Sequence, residues 1–259
     1  MEKKILLVED NEVNKLFAFE LLQGADYQVS VANNGQVALE MLGKEIFDCV
    51  LMDCQMPVMD GYEATRTIRK NGNTIPIIAL TANAMSGDRK KCIDAGMNDY
   101  ISKPFKLKEL LSVLDKWISQ NKKNKESESD SPTTNKLLAG DLSDLAGIEV
   151  KDGLRMMGGN TEIYKKILKN FYQVNSNVLV EINEAFKNGE MLVVARQVHT
   201  VKGSAASIGA KGLASIALRL ESAIKNEQKE ELQILMDKFS NSMVSVLETL
   251  KLFFSQELK

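Results

Sequence analysis

The stretch "DCVLMD", residues 48–53, places four consecutive apolar side chains between two aspartates. A strand that is apolar at every position, not at alternate positions, is typical of a parallel sheet covered by helices on both faces. The run "ILLV", residues 5–8, has the same character. Together these runs predict a doubly wound α/β domain in the first part of the chain.

Outward from this stretch, strand and helix patterns alternate from residue 1 to about residue 119. The candidate strands are Lys4–Val8, Gln28–Ala32, Asp48–Met52, Ile75–Leu80 and Asp99–Ile101. The candidate helices begin near Asn11, Gly35, Gly61, Met85 and Lys106. Because such alternation is typical of a parallel sheet, residues 1–119 are predicted to form a flavodoxin-like domain with five parallel strands.

Residues 120–140 lose this periodicity and are rich in Ser, Asn, Lys and Glu, so they are predicted to form a flexible linker. Residues 141–259 show only helical periods. Two long apolar stripes are Ile163, Ile167, Phe171, Val174, Val178, Ile182 and Phe186, and Leu232, Leu235, Phe239, Met243, Val246, Leu250 and Phe253. Two shorter helices between them, Met191–Ile208 and Leu213–Lys225, complete a predicted four-helix bundle, with a short extra helix near Lys151–Met157.

Composition narrows the classes of function. The chain has 259 residues, 44% of them hydrophobic and 26% charged, with a net charge of −2. This balance gives no basic excess, so we expect protein partners and no nucleic acid. No stretch approaches the roughly 18 apolar residues of a membrane span, so we expect no membrane insertion and a cytoplasmic location. Cys49, Cys54 and Cys92 form no C-x-x-C pair and are predicted to be buried, reduced thiols.

Polar side chains stand where the predicted strands end. Glu9 and Asp10 follow the first strand, Asp53 the third, Thr81 the fourth, and Lys103 follows the fifth. Since the carboxyl ends of parallel strands meet at one edge of a sheet, these side chains should converge. Clustered carboxylates repel one another and require a cation, and an all-oxygen ligand set favours Mg²⁺. Ordinary helix caps facing solvent are the alternative for any one of these carboxylates.

The first domain resembles a response-regulator receiver domain. The resemblance is carried by "LLVEDNEVN", "DCVLMDCQMPVMDGYEATRTIR", "PIIALTANA" and "DYISKPF", which begin at residues 6, 48, 76 and 99. It implies that Asp53 accepts a phosphoryl group from phosphohistidine. It also implies that Asp10, Asp53 and the backbone carbonyl of Gln55 hold Mg²⁺, with Glu9 acting at the metal through water.

The same resemblance assigns two more residues to the phosphoryl site and one to a switch. Lys103 would pair with the phosphoryl oxygens, and Thr81 would donate its hydroxyl to one of them. Tyr100 occupies the position of an aromatic switch, although an ordinary half-buried strand aromatic would also fit. Pro104 resembles the family's cis-proline, with a helix-entry proline as the alternative.

The only histidine, His199, lies in "ARQVHTVKGSAASIGA", residues 195–210. The inward stripe of this helix is Met191, Val194, Val198, Val201, Ala205 and Ile208, which leaves His199 roughly 130° away and facing solvent. Gly203 and Ala206 lie on the same side without bulk, and Lys202 places an ammonium beside the ring. A surface histidine of no consequence is the alternative. A zinc site would lack a second ligand, and serine catalysis would lack a strand–turn–helix elbow.

The second domain resembles a histidine phosphotransfer (Hpt) domain. The resemblance is carried by "HTVKGSAASIGAKGLASIALRLE", residues 199–221, and by "GGNTEIYKKILKNF", residues 158–171. It implies that His199 is phosphorylated on a ring nitrogen and that Lys202 steadies the phosphoryl oxygens. It further implies that Gly203 lets a receiver close over the histidine, and Ala206 on the same side of the helix is predicted to belong to this docking surface. Val201 stands where the family commonly has leucine, a conservative departure.

Taken together, the two domains predict a phosphorelay protein in which Asp53 receives phosphoryl groups and His199 carries them. No ATP-binding motif is present, so we expect no kinase activity beyond the receiver's catalysis of its own phosphorylation. Expected partners are sensor histidine kinases and other receiver or Hpt proteins, with phosphodonors as the only small substrates. Met1 lies close to the first strand, which favours a free-standing protein over the C-terminal end of a hybrid sensor kinase.

Two other functions stay open at this point. A phosphatase of the haloacid dehalogenase type would also use a strand-end aspartate, but it expects a second aspartate where this chain has Gln55. A pure interaction module whose receiver no longer accepts phosphate is the other, and retention of all five pocket residues argues against it.

Overall fold

The computed structural model describes residues 3–81, 86–118, 142 and 145–257. The predicted linker, residues 120–140, lies outside the described residues. The chain divides into two compact units, Met1–Thr134 and Asn135–Lys259.

The first unit contains the predicted five-stranded parallel sheet, with the strand order β2-β1-β3-β4-β5. The strands are β1 Lys4–Val8, β2 Gln28–Ala32, β3 Cys49–Asp53, β4 Ile77–Thr81 and β5 Asp99–Ser102. The helices are α1 Glu12–Gln23, α2 Gly35–Leu42, α3 Gly61–Lys70, α4 Ser86–Asp94 and α5 Leu107–Ile118. Every residue of β3 and β4 is buried, which agrees with strands that are covered on both faces.

Short loops after the strands are fixed by side-chain caps. Asn11 Oδ1 accepts hydrogen bonds from the backbone N–H groups of Val13 and Asn14 at the start of α1. Asn34 and Asp60 cap α2 and α3 in the same way. Because an N-cap oxygen satisfies N–H groups that the helix cannot pair, these caps fix where the three helices begin. Glu9 and Asp10 therefore lie on a short connection between β1 and α1.

The second unit is the predicted helical bundle. Its helices are α6 Val150–Met156, α7 Thr161–Asn175, α8 Val178–Lys187, α9 Met191–Ser207, α10 Lys211–Lys225 and α11 Lys229–Glu257. The predicted first long helix is divided between α7 and α8. At the division Asn175 Nδ2 donates to the carbonyl of Phe171, and the Ser176 hydroxyl donates to that of Tyr172. Side chains that bond carbonyls four residues back compete with the helical ladder, which explains the break.

The turn between α9 and α10 is stabilised by contacts with Tyr164 of α7 and with Glu149, which precedes α6. The Tyr164 hydroxyl is fully buried and donates to the Ile208 carbonyl at 2.8 Å. Gly209 has a φ of +83°, and a Cβ there would lie 2.6 Å from the Glu149 carbonyl oxygen. The Glu149 N–H in turn donates to Gly209 at 2.9 Å. These contacts set the relative position of α9 and α10, which carry the candidate site of this unit.

Candidate functional site

Three carboxylates meet at the carboxyl edge of the sheet. Asp53 is the last residue of β3, and Glu9 and Asp10 follow β1, which pairs with β3. One oxygen from each of the three lies within 4.8 Å of the others. Glu9 is 1% exposed and Asp53 is 7% exposed, so two of the three charges are shielded from water. The structure therefore brings together the acidic residues that the strand ends predicted.

Lys103 reaches this cluster from the end of β5. Its Nζ lies 2.5 Å from Glu9 Oε2 and 2.9 Å from Asp53 Oδ2. The Lys103 N–H donates to the Thr81 carbonyl at 2.7 Å, and the Lys103–Pro104 peptide bond is cis, the first of the two alternatives for Pro104. One ammonium thus faces three carboxylates, which leaves an excess of negative charge at the edge.

Burial and the neighbouring charges together set the pKa values in this cluster. Burial raises the pKa of Glu9 to about 8, and the Asp53 carboxylate adds to the rise while Lys103 opposes it. Burial alone would lower the pKa of Lys103, but the carboxylates of Asp53 and Glu9 outweigh it and raise that pKa above its usual value. The site consequently favours additional positive charge.

Thr81 and Gln55 lie near Asp53, whereas Tyr100 lies on the outer strand β5. Thr81 is the last residue of the neighbouring strand β4 and is 4% exposed. The Gln55 N–H lies 3.4 Å from Asp53 Oδ1, while the Gln55 side chain is exposed. Tyr100 pairs with Ala79 across β4 and β5 and is half-buried against the core. This half-buried position is compatible both with an aromatic switch and with an ordinary strand aromatic.

Gly61 is a residue of this site that the sequence analysis did not single out. Its N–H donates to the Cys54 carbonyl at 3.2 Å. A Cβ at Gly61 would lie 2.1 Å from the Asp53 carbonyl oxygen, so no side chain fits there. The start of α3 can therefore close against the backbone of Asp53, and the sequence sign of this contact was a glycine at the first position of a helix.

The second site is built around His199 on α9. Its Nδ1 lies 2.9 Å from Oε1 of Glu221, a residue of α10. The other Glu221 oxygen, Oε2, accepts from Lys202 Nζ at 2.7 Å. Lys225 Nζ, one turn along α10, lies 2.5 Å from Oε1. Three nitrogen-bearing side chains thus converge on one carboxylate that is only 5% exposed.

The charge on Glu221 decides which ring nitrogen of His199 carries the proton. Burial would raise the pKa of Glu221, but hydrogen bonds from His199, Lys202 and Lys225 hold it far below its usual value. An ionised carboxylate only accepts hydrogen bonds, so Nδ1 carries the proton and donates it. Lys202 Nζ is also 3.2 Å from Nδ1, but both are donors in this state, and Lys202 bonds to Glu221 instead. In the neutral imidazole, which carries a single proton, this arrangement leaves the electron pair on Nε2.

Glu221 was missed by the sequence analysis, although a sign was present. Leu213, Ala217, Leu220 and Ile224 form the buried stripe of α10, and Glu221 lies four residues after Ala217 within that stripe. Charged residues are seldom fully buried without a partner. A glutamate at such a position therefore predicts a cationic or hydrogen-bonding partner on a neighbouring helix.

The helical geometry predicted for α9 is largely confirmed. Val194, Val198, Val201, Ala205 and Ile208 are all fully buried. Gly203 and Ala206 are half-buried and lie on the side of the helix that bears His199. The His199 side chain is 24% exposed, less than a fully solvent-facing residue, because Glu221 of α10 covers its Nδ1 edge.

Comparison with known families decides what these two units are. The family model described as "Response regulator receiver domain" matches residues 5–115. The model described as "Hpt domain" matches residues 166–252. The chain joins a response regulator receiver domain to an Hpt domain. The resemblances carried by the sequence motifs of each half are thereby confirmed.

Curated relatives of this receiver–Hpt chain are longer proteins. The sensor protein GacS of Pseudomonas syringae pv. syringae is 29% identical over 239 residues, which cover 90% of this chain and 26% of GacS. Hybrid signal transduction histidine kinase B of Dictyostelium discoideum is 44% identical over 122 residues, covering 42% of this chain and 6% of that protein. The chain thus spans about a quarter or less of the length of these relatives.

One similar solved structure is the receiver domain of sensor histidine kinase PA1611 from Pseudomonas aeruginosa PAO1, which is 49% identical in sequence. The match covers 46% of this chain and 99% of the PA1611 receiver chain, with a TM-score of 0.44. That crystal structure has a magnesium ion coordinated in its active-site cleft.

Across the part of the chain described by the structure, no helix combines the length and apolar character needed to cross a membrane.

Proposed function

We propose that this chain is a phosphorelay component in which Asp53 receives a phosphoryl group from phosphohistidine and His199 carries one. The observation that supports this most directly is the pair of sites on one chain. A strand-end aspartate lies 2.9 Å from a lysine ammonium, and a histidine has its Nδ1 proton held by a carboxylate. The receiver would comprise residues 1–119, the linker 120–140 and the Hpt domain 141–259.

In the receiver, a carboxylate oxygen of Asp53 would form the new P–O bond as the P–N bond to the donor histidine breaks. The departing imidazole nitrogen keeps the electron pair of that bond. Phosphoryl transfer depends mainly on positioning and charge neutralisation. Lys103 Nζ is placed to neutralise a phosphoryl oxygen, and Thr81 at the end of β4 can donate its hydroxyl to another. Tyr100 would follow a movement of Thr81 as the switch residue.

The acidic cluster fits a divalent cation with hard oxygen ligands. Three carboxylate oxygens within 4.8 Å of one another, opposed by one lysine, supply ligands and surplus charge of the kind that Mg²⁺ favours. Asp10, Asp53 and the Gln55 backbone carbonyl would hold the ion, with Glu9 acting through water. When bound, Mg²⁺ would neutralise charge on the transferring phosphoryl group.

In the Hpt domain, Nε2 of His199 would form the P–N bond as the P–O bond of a phosphoaspartate breaks. Glu221 keeps the proton on Nδ1 and stabilises the positive charge that develops on the ring. Lys202, already oriented by Glu221, lies close enough to move onto a phosphoryl oxygen. The half-buried Gly203 and Ala206 would leave room for the receiver that supplies the phosphoryl group.

The proposed partners are sensor histidine kinases and other receiver or Hpt proteins in the cytoplasm. The relatives include hybrid histidine kinases, which supports a kinase as the source of the phosphoryl group. If this chain is the receiver–Hpt end of such a kinase, the same residues would act on phosphoryl groups from the kinase portion.

Labelling with ³²P-phosphoramidate, a small-molecule phosphodonor, tests the proposal. Wild type in Mg²⁺ should carry a base-labile acyl phosphate that is lost in Asp53→Asn and with EDTA. It should also carry an acid-labile phosphohistidine that is lost in His199→Gln. Asp94→Asn, which alters an exposed aspartate of α4, is the matched control and should label like wild type. An acyl phosphate that persists in Asp53→Asn, or a phosphohistidine that persists in His199→Gln, would contradict the assignments.

A further inference from the structure

The two oxygens of the Glu9 carboxylate are engaged by two different donors. Lys103 Nζ lies 2.5 Å from Oε2, and Asn14 Nδ2 donates to Oε1 at 3.3 Å. Asn14 lies on α1 and is 8% exposed, so this second contact is shielded from water like the carboxylate itself. Because an ionised carboxylate only accepts hydrogen bonds, the Asn14 amide turns its NH₂ group toward Glu9.

The position of Asn14 is set by the start of α1. Its backbone N–H donates to Oδ1 of the capping residue Asn11 at 3.0 Å. Val13, the residue before it, is fully buried, and Phe17, three residues after it, is 2% exposed. Since the cap and these apolar anchors fix the first turn of α1, the helix brings the Asn14 amide to Glu9.

The Asn14 donor adds no charge to the acidic cluster. The ammonium of Lys103 stands against the carboxylates of Glu9, Asp10 and Asp53. A second ammonium at the position of Asn14 would compensate another carboxylate and reduce the attraction for a divalent cation. A neutral amide can orient Glu9 while it leaves that attraction intact.

A carboxylate that is engaged at both oxygens suits Mg²⁺ better than Ca²⁺. Mg²⁺ keeps several of its waters, whereas Ca²⁺ takes more oxygen ligands and often binds a carboxylate through both oxygens. To bind Ca²⁺ in that way, Glu9 would have to release Lys103 and Asn14 together. With both contacts kept, Glu9 can act on a cation through water.

We propose that Asn14 is a positioning residue that holds Glu9 at Oε1 and thereby makes the acidic cluster prefer Mg²⁺ to Ca²⁺. This inference rests on the proposed function, in which the cluster binds a divalent cation. Asn14 acts through Glu9, and residues that orient the carboxylates of a metal site commonly set its affinity.

Competition against Mn²⁺ tests the proposal on the full-length chain. Electron paramagnetic resonance measures free Mn²⁺, and its displacement by Mg²⁺ or by Ca²⁺ gives a dissociation constant for each ion. Asn14→Leu keeps about the volume of the amide and removes the donor. We expect it to weaken Mg²⁺ binding about ten-fold. Ca²⁺ binding should weaken less, because the released Oε1 becomes available as a ligand, so the preference for Mg²⁺ falls.

Two further variants separate the lost hydrogen bond from changed packing. Asn14→Ala and Asn14→Leu differ in volume and share the missing donor, so both should lose preference for Mg²⁺ to a similar extent. Gln23→Leu removes an exposed amide from the same helix and is the matched control, with the constants of wild type. Urea unfolding without divalent cation, followed by the fluorescence of Trp117, identifies the variants whose receiver is folded.

An unchanged preference for Mg²⁺ in a folded Asn14 variant would overturn the proposal. Equal weakening of both ions would also overturn it, because a general loss of structure predicts that result. Failure of the proposed function has a different signature. If Asp53→Asn binds Mn²⁺ as tightly as wild type does, the acidic cluster is not the cation site, whatever the Asn14 variants do.

Discussion

The tautomer of His199 depends on a carboxylate from another helix. Because Glu221 accepts the Nδ1 proton at 2.9 Å, we expect its removal to impair phosphorylation of His199. Glu221→Gln keeps an acceptor oxygen and should slow labelling by about ten-fold, whereas Glu221→Met should slow it by up to about a hundred-fold. Rates with phosphoramidate across pH 6 to 9 measure this, with the exposed Glu184→Gln as control. Equal rates for the Gln and Met variants would show that orientation through Glu221 is not the cause.

The same glutamate predicts a pH dependence of stability. Hydrogen bonds lower the pKa of Glu221 in the folded state below its ordinary value of 4.5, so the ionised form stabilises the bundle. This stabilisation is fully present above the unfolded pKa and is lost as the pH falls below about 4.5. Urea unfolding followed by circular dichroism should show Glu221→Gln less stable than wild type at pH 7, with the gap narrowing toward pH 3. A constant gap would contradict the assignment.

The three cysteines give a prediction about reactivity. All are buried, burial raises the pKa of Cys49 to about 12, and contact with Cys92 together with burial raises that of Cys54. The thiolate is the reactive form, so native protein at pH 8 should react very slowly with an aromatic disulfide reagent. Three thiols should react once the chain is denatured in urea. Rapid titration of the native chain would show that the thiols are reached without unfolding.

At the scale of elements, the sheet was predictable because β1, β3 and β4 each contain an unbroken run of four apolar residues. The strand boundaries were less predictable than the strands themselves. For example, β4 begins at Ile77 because Pro76 has no N–H to donate to a hydrogen bond between strands. The break between α7 and α8 left no trace in the hydrophobic spacing, since Val174 and Val178 keep a step of four across it. Only the run Asn175-Ser176-Asn177 marked it. The partnership of His199 with Glu221 depends on packing between helices, which periodicity along one helix does not contain.

The contact that fixes the α9–α10 turn can be tested through Tyr164. Its buried hydroxyl donates to the Ile208 carbonyl at 2.8 Å, and Tyr164→Phe removes the donor without changing the ring. We expect the free energy of unfolding of the Hpt domain to fall by about 1 kcal/mol. Urea unfolding followed by circular dichroism measures the change, and Tyr172→Phe on the same helix is the control. An unchanged midpoint in Tyr164→Phe would mean that the carbonyl finds another donor.

At the scale of the whole molecule, each unit has its own core and its own family match. Residues 5–115 and 166–252 match separate families, and the buried side chains of each unit pack within it. The proposed function therefore depends on two side chains, Asp53 and His199, that belong to separate compact units. Sequence periodicity could predict each scaffold, because it reports burial within a domain. It carries no information on how a phosphoryl group passes from one scaffold to the other.

Independent scaffolds should survive separation at the proposed boundaries. The chain has one tryptophan, Trp117 of α5, so its fluorescence reports the receiver alone. We expect residues 1–119 to unfold in urea with the same fluorescence midpoint as the full chain, and residues 141–259 to unfold cooperatively by circular dichroism. A shifted fluorescence midpoint would show that the Hpt domain stabilises the receiver.

The residue at which the Hpt domain begins can be tested by comparing fragments with different N-termini. Leu142, Leu145 and Ile148 are buried, and Gly153 packs against the Tyr164 ring, yet all four precede the family match that begins at residue 166. A fragment of residues 166–259 lacks these contacts and the Tyr164 hydroxyl that holds the α9–α10 turn. We expect it to unfold at lower urea than 141–259 and to label more slowly at His199. Equal stability of the two fragments would show that residues 141–165 contribute nothing to the stability of the bundle, and equal labelling would show that they do not position His199 against Glu221.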